Sequence, residues 1–333
     1  MLSLRRGTVT GISEEHEGLT RLEVDGTPTI AYPRLTGPVE IGDDVIVNVQ
    51  ARQLELGSGG FDVLYANLTR GLGGDPEPEA HVMTVPYTPL QSAVRHVEED
   101  GPLAETLEGM PVVCCSLHSQ VAPAFAGLGR RRRVAYVQVG GGALPVSLSD
   151  TVRALKAGGL LEVAVAAAPC VDGDVQAVTP ASALAWCAGQ GFDAVVCSIG
   201  PGIVGTASRL GHGGLAAAAT LNVTAALGGT PVLAVRYSEA DWRERHQGVS
   251  HHVRAILDLC LADITIAWPR GLDAPDWLDP REEVDVEGWH EDCARLPLSH
   301  MGRSLEEDPC FFMCAFAAGE VAREHRAQEA PTQ

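Results

Sequence analysis

DAVVCSIGPGIVGT, residues Asp193 to Thr206, is the stretch on which the reading of the fold turns. Ala194, Val195, Val196 and Cys197 are apolar on both alternating sets of positions, the pattern of a strand covered by helices on both faces. The run passes directly into Gly200, Gly202 and Gly205. Outward from it, apolar strand-like and helical patterns alternate from about residue 81 to 268: MPVVCCSL, QVAPAFAGLG, RVAYVQVG, LSDTVRALKAGG, LLEVAVAAAP, PASALAWCAGQG, then GLAAAATLNVTAALGG, PVLAVRYS, VSHHVRAILDLC and ADITIAWP. Ordered βα repeats of this kind predict an α/β fold with a mainly parallel, doubly wound sheet over 81–268.

The flanks differ. Residues 1–70 hold short runs rich in Val, Ile, Thr and Tyr, RRGTVTGI, LTRLEVDGTPTIAY, DDVIVNVQ and FDVLYANL, with Asp25-Gly26 suited to a tight hairpin. They predict a small all-β barrel or sandwich. A Gly- and Pro-rich linker is expected at 71–80. Residues 269–309 are acidic and Pro-rich, too long for a routine connection, and 310–325 read as a C-terminal helix packing on the α/β domain.

Composition removes several classes of function. The formal charge of −19 repels phosphate backbones and anionic lipid, so nucleic acid and membrane are poor partners. Arg130 to Arg133 form a basic run, read as a solvated helix-to-strand connection. Nine cysteines, an odd number mostly inside apolar runs, read as reduced, buried thiols. The start MLSLRRGTVTGI lacks the apolar core of a signal peptide, so the expected location is cytoplasmic. The one lysine, Lys156, lies in the last turn of a helical pattern, which leaves no residue for Schiff-base or P-loop chemistry.

Ligands of open α/β sheets bind outside the carboxyl ends of the strands. Here those ends carry Ser116-Leu117-His118-Ser119-Gln120, Gly140-Gly141-Gly142, Cys170-Val171-Asp172-Gly173-Asp174, the 200–206 glycine loop, and Arg236, Glu239, Asp241, Arg243, Glu244, Arg245 and His246. The opposite connections, such as KAGGL and GQGFD, are plain turns. GPGIVG matches G-x-G-x-x-G, but Pro201 fills the first variable position, the next helical pattern starts only near Gly214, and no acidic residue follows about 20 positions on to bind a ribose. The loop is read as a sharp turn beside a ligand, not a dinucleotide fingerprint. In RERHQGVSHHVRAIL, Ser250 suits a helix cap before His251, directing free N–H groups at an anion. His246, His251 and His252 are not expected all to face one way, since adjacent helical residues point about 100° apart; with His118 or His212 from other loops, two or three imidazoles could meet at a metal. No G-x-S-x-G elbow surrounds Ser116 or Ser119.

The phrases GMPVVCCSLHSQVAPA, GGGALPVSLS, SIGPGIVGT and RERHQGVSHH, with LTGPVEIGDDVIVN and LGSGGFDVLYANL upstream, resemble an uncharacterised bacterial family catalogued as domain of unknown function 3866, over residues 1 to about 268. The resemblance implies a shared bacterial architecture and assigns no activity and no catalytic residue.

The expectation is therefore an enzyme-like site at the strand carboxyl ends. His118, His251 and Asp172 are its candidate catalytic residues. Ser119, Gln120, Gly140, Gly141, Gly142, Gly200, Gly202, Gly205, Thr206, Arg236, Arg243 and His246 are its candidate ligand-binding residues. The expected partner is a small polar or anionic molecule, with hydrolytic or transfer chemistry; no metal is assigned, the cofactor is unknown, and a homo-oligomer is left open. The alternative is a non-catalytic binding or assembly protein using the β domain and the acidic segment as an interface.

Overall fold

The computed structural model describes residues 1–54, 60–73, 77–130, 132–279 and 281–329. Residues 74–76 of the expected linker and Arg131 of the basic run lie outside the described residues, as do 330–333 at the end of the chain. The chain divides into two compact units, Met1–Arg95 and His96–Gln333.

The first unit is a closed five-stranded barrel of β1 (Leu4–His16), β2 (Leu19–Val24), β3 (Thr27–Ala31), β4 (Asp44–Asn48) and β5 (Asp62–Asn67), in the order β1-β2-β3-β5-β4. The thirteen-residue β1 serves two neighbours, pairing with β4 through Leu4–Thr8 and with β2 from Val9 onward. Irregular register at Val9/Gly11 marks the bend that lets one strand close the barrel. β3 and β5 run parallel, which gives the Greek-key connectivity of an OB-type barrel. Asp25 (φ 50°) and Gly26 (φ 74°) form the two-residue hairpin between β2 and β3, both with the left-handed backbone a primed turn demands. Val9, Leu22, Val24, Val45, Val47 and Leu64 fill the interior. One-turn helices α1 (Pro33–Thr36) and α2 (Gln50–Gln53) flank β4, and a short antiparallel pair, β6 (Val82–Thr84) and β7 (Ser92–Val94), completes the unit.

The second unit is an eight-stranded parallel sheet. Its strands are β8 (Pro111–Cys115), β9 (Val134–Val139), β10 (Val163–Ala167), β11 (Val175–Ala177), β12 (Ala194–Ile199), β13 (Thr230–Ala234), and, after the small antiparallel pair β14 (Tyr237–Ser238) and β15 (Gly248–Val249), β16 (Thr265–Pro269) and β17 (Glu282–Val284). The order is β11-β10-β9-β12-β8-β13-β16-β17. Helices α3 (Val121–Leu128), α4 (Asp150–Ala157), α5 (Pro180–Gly189), α6 (Ala216–Ala226), α7 (His251–Leu257), α8 (Trp289–Cys293) and α9 (Pro309–Glu329) follow in chain order.

The fold class matches the expectation of a barrel followed by a doubly wound sheet. The strands alternate between two cores: Cys114 packs beneath α5, α6 and α7, while its neighbour Cys115 packs beneath α3, α4 and α9. All nine cysteines are free thiols. The two three-residue edge strands, β11 and β17, carry no legible run of their own, and β17 lies inside the acidic, Pro-rich segment. No helix of the described residues is long and apolar enough to cross a membrane.

α9 crosses α3 through a pair of glycines. A Cβ on Gly319 would lie 2.1 Å from the Ala124 carbonyl oxygen, and one on Gly127 would lie 2.2 Å from that of Phe316. Backbone cannot yield as a flexible side chain would, so both Gly127→Ala and Gly319→Ala are expected to destabilise the fold by about 1–3 kcal/mol through overpacking. Chemical denaturation of the two variants checks this, and wild-type midpoints would contradict the crossing.

Candidate functional site

Around the middle of the sheet, successive neighbours send their chains to opposite faces. β9 leads to α4 and β8 to α3 on one side, whereas β12 leads to α6 and β13 to α7 on the other. Connections that diverge in this way leave a crevice at the carboxyl edge. The loops of β8, β9, β12 and β13 come together there, but they do different work.

His118, after β8, is held on every side. Its Nδ1 lies 3.2 Å from the Ile199 carbonyl, which can only accept, so this nitrogen carries the proton. Nε2 then accepts from the Ser149 hydroxyl at 2.6 Å, and Ser149 in turn caps α4 by accepting from Val152 N–H. Burial pushes the His118 ring down to about 4. Gln120 is equally occupied: its carbonyl accepts from the Ser116 hydroxyl and from Leu117 N–H, and its amide donates to the Ala234 carbonyl, tying β8 to β13. Both residues brace the edge.

The glycine segments brace each other. Val204 N–H donates to the Gly141 carbonyl and Ala143 N–H to that of Pro201. A Cβ at Gly142 would meet the Gly200 carbonyl oxygen at 2.2 Å, and one at Gly200 would meet that of Ala143 at 2.1 Å. The loop-to-loop contact alone requires glycine at both places. Gly202 (φ 69°) makes the turn, Gly205 bridges to His212, and Thr206 bonds Ser208 and the Gly211 carbonyl on the exposed side of the loop. Asp172 sits in the return between β10 and β11, two residues before Asp174, whose carboxylate accepts from Ala164 N–H near the start of β10 and pairs with Lys156 at the far end of α4. Its loop thus runs back toward the opposite edge of the sheet.

The gathering of unspent polar groups lies at β13 and α7. Arg236 is 3% exposed and donates to His252 Nδ1 at 3.0 Å. Guanidinium nitrogen only donates, so neutral His252 carries its proton on Nε2. His246 Nδ1 lies 2.7 Å from Ser250 Oγ, which also accepts from His252 N–H as the cap of α7. The rings are packed face and edge: His212 stacks on His252 with centroids 3.6 Å apart, and His251 lies 4.5 Å from His252. Asp241, fully buried, takes a two-pronged grip from Arg243 (2.8 and 2.7 Å) and faces Arg303 at 3.4 Å and Arg236 at 3.8 Å. Arg303 also bonds Asp308, to which Ser238 donates. Ser119 Oγ lies 3.1 Å from Nδ1 of the buried His300. Among the described residues, Arg236 Nε, His251 Nε2 and His300 Nε2 are buried atoms with no hydrogen-bond partner.

Electrostatics keep the rings neutral. Burial, then Arg236 and Arg243, hold His246 at about 3; burial, then Arg236 and Arg303, hold His300 at about 3, with Asp241 opposing in both. His252 is depressed by burial, then Arg236 and the other rings, and His251 by burial, then Arg245 and Arg236. Burial would raise the Asp241 carboxyl, but its bonds to Arg243 outweigh this and hold it below the usual carboxylate range.

The chain matches, over residues 28–319, the model of a family described as "Protein of unknown function (DUF3866)". It belongs to that family. No curated protein matches the chain.

Of the expected site residues, the structure brings together Arg236, Arg243, His246, His251 and Ser119. It adds Asp241, already noted at the strand end, and His252 and His212 from the histidine motifs. His300, Arg303 and Asp308 come from the acidic segment, where the sequence offers no periodic or motif signal. Contrary to the expectation that His246, His251 and His252 could not share a direction, the adjacent His251 and His252 rings lie only 4.5 Å apart and His246 arrives from the preceding loop. The three have ring nitrogens within 4.8 Å of one another, a spacing open to a metal ion. The donor set opposes one. A metal-bound imidazole directs its other N–H at a carboxylate or carbonyl, whereas His252 Nδ1 faces a guanidinium and leaves no lone pair on Nε2. At the opposite edge, an open concavity of about 570 Å³ is lined by Arg130, Arg132, Asp193 and Arg323. Arg130 and Arg132 there donate to the carbonyls of Gly158 and Arg323.

The folded protein keeps these rings neutral to lower pH than an unfolded chain does, so acid is bound preferentially by the unfolded chain. Stability is expected to be full above about pH 6.5 and to fall as the pH drops toward the folded values of about 4 for His118 and about 3 for His246 and His300. A Tm drop of about 5 °C or more between pH 7 and pH 5 is expected by calorimetry; a flat profile would show that the rings are not held neutral.

Proposed function

We propose that this protein binds a small anionic ligand at the carboxyl ends of β8, β12 and β13, in an enzyme-like site built from Arg236, His246, His251, His252 and His300. The observation that carries the reading is the Arg236 guanidinium, buried with an Nε–H that has no acceptor among the described residues. A buried charged donor left unpaired costs free energy, and a ligand oxygen placed there removes that cost. Neutral imidazoles beside it supply N–H donors and proton acceptors near neutral pH, the equipment of general acid–base chemistry. Hydrolysis or group transfer on an anionic substrate is the chemistry that such a set serves. His251 and Arg243, both half-buried, are the members that reach solvent.

Thermal unfolding in a panel of anions tests this directly. Saturating ligand at 100 times its Kd adds about 2.7 kcal/mol of stability. A rise in Tm is expected for wild type, much reduced in Arg236→Met and His251→Asn. His118→Asn is expected to lower the starting Tm yet keep the shift, because His118 braces the edge instead of contacting ligand. No shift with any anion, or an undiminished shift in both site variants, would contradict the reading.

A further inference from the structure

We infer that the group taken by this site is a tetrahedral dianion, the phosphoryl end of a phosphate monoester or its inorganic equivalent, in preference to a carboxylate. The inference rests on the anion-site reading above and deepens it by the number of unpartnered polar groups.

The charges acting on the rings come from Arg236 beyond β13, from Arg243 and Arg245 in the following loop, from Arg303 in the segment before α9, and from Asp241. Asp308 bonds Arg303 and Ser238 through Oδ2, while its Oδ1 is buried without a partner among the described residues. The buried or half-buried guanidiniums of Arg236, Arg243 and Arg303 outnumber the buried carboxylates of Asp241 and Asp308, so the surroundings of the rings favour an anion.

The donors point the same way. Arg236 offers Nε–H. His252 offers Nε2–H, because its Nδ1 accepts from Arg236. His246 bonds Ser250 Oγ through Nδ1 at 2.7 Å, which leaves Nε2 as its other polar atom. His251 Nε2 and His300 Nε2 are buried without partners. A carboxylate presents its acceptor sites on two oxygens in a single plane. A phosphoryl end has three acceptor oxygens arranged around one centre, enough for a guanidinium and several rings at once.

Titration calorimetry on the full chain at pH 7 and fixed ionic strength, with inorganic phosphate, phenyl phosphate, sulfate, acetate and malonate as separate probes, tests the inference. Phosphate and phenyl phosphate are expected to bind at least tenfold tighter than either carboxylate, with at least a tenfold loss in Arg236→Met and in His251→Asn, a half-buried position chosen to spare the fold. Sulfate binding like phosphate supports a tetrahedral dianion of either element; phenyl phosphate binding far tighter than both assigns the monoester. Acetate or malonate binding as tightly as phosphate overturns the inference and leaves the anion reading standing. Phosphate binding unchanged in both variants means an adventitious ion only and overturns it too. If no anion binds, while zinc chloride alone does, both readings fall together.

Discussion

Keeping one guanidinium under cover is the constraint from which the rest of this edge follows. Arg236 cannot shed its proton at any ordinary pH; burial lowers it only to about 10. A cation in that position needs acceptors, and the chain gives it Asp241 at 3.8 Å and His252 Nδ1 at 3.0 Å. The first supplies countercharge. The second dictates the tautomer of His252, with its proton on Nε2. Burial first, and then the charge of Arg236 and the neighbouring arginines, keep His246, His251, His252 and His300 unprotonated where free imidazoles would titrate near neutrality. Replacing such a set with apolar residues would often cost nothing in stability; the proposed anion is what would give it a use.

The sheet is what makes this possible at one place. Parallel strands deliver all their outgoing loops to a single edge, and alternate exits to the two faces part those loops at β12, β8 and β13. The loops from β9 and β12 use that proximity to lock backbone against backbone through Gly141, Gly142 and Gly200. The loops from β8 and β13 are joined by Gln120 and the Ala234 carbonyl. Locked loops give fixed positions to the rings beyond them.

Much of the architecture was legible because its physical cause is local. Val112 to Cys115 and Ala194 to Cys197 have no polar alternation, and strands buried on both faces need none. Asp25-Gly26 announces its hairpin because few other residues accept positive φ twice in succession. The edge strands Val175–Ala177 and Glu282–Val284 were not legible, since three residues carry no period. The site was half legible. Arg236, His246 and His251 cluster within one segment, so their chemistry shows in the sequence. His300, Arg303 and Asp308 reach Ser119, Asp241 and Ser238 only after more than sixty intervening residues have folded, and no local pattern records that approach. His118, Gln120 and the glycines have a site-like composition for a different reason: loops packed backbone to backbone need small residues and fully satisfied polar ones, just as ligand sites do.

Nitrogen-15 NMR of the histidine rings at pH 7 tests the arrangement around Arg236 most directly, because it reads which nitrogen holds each proton. His252 is expected to be neutral with its proton on Nε2 and His118 neutral with its proton on Nδ1, and added phosphate is expected to move the resonances of His246, His251 and His252 while leaving those of His118 in place. A proton on His252 Nδ1, or rings indifferent to phosphate, would contradict the buried guanidinium as the organiser of an anion site.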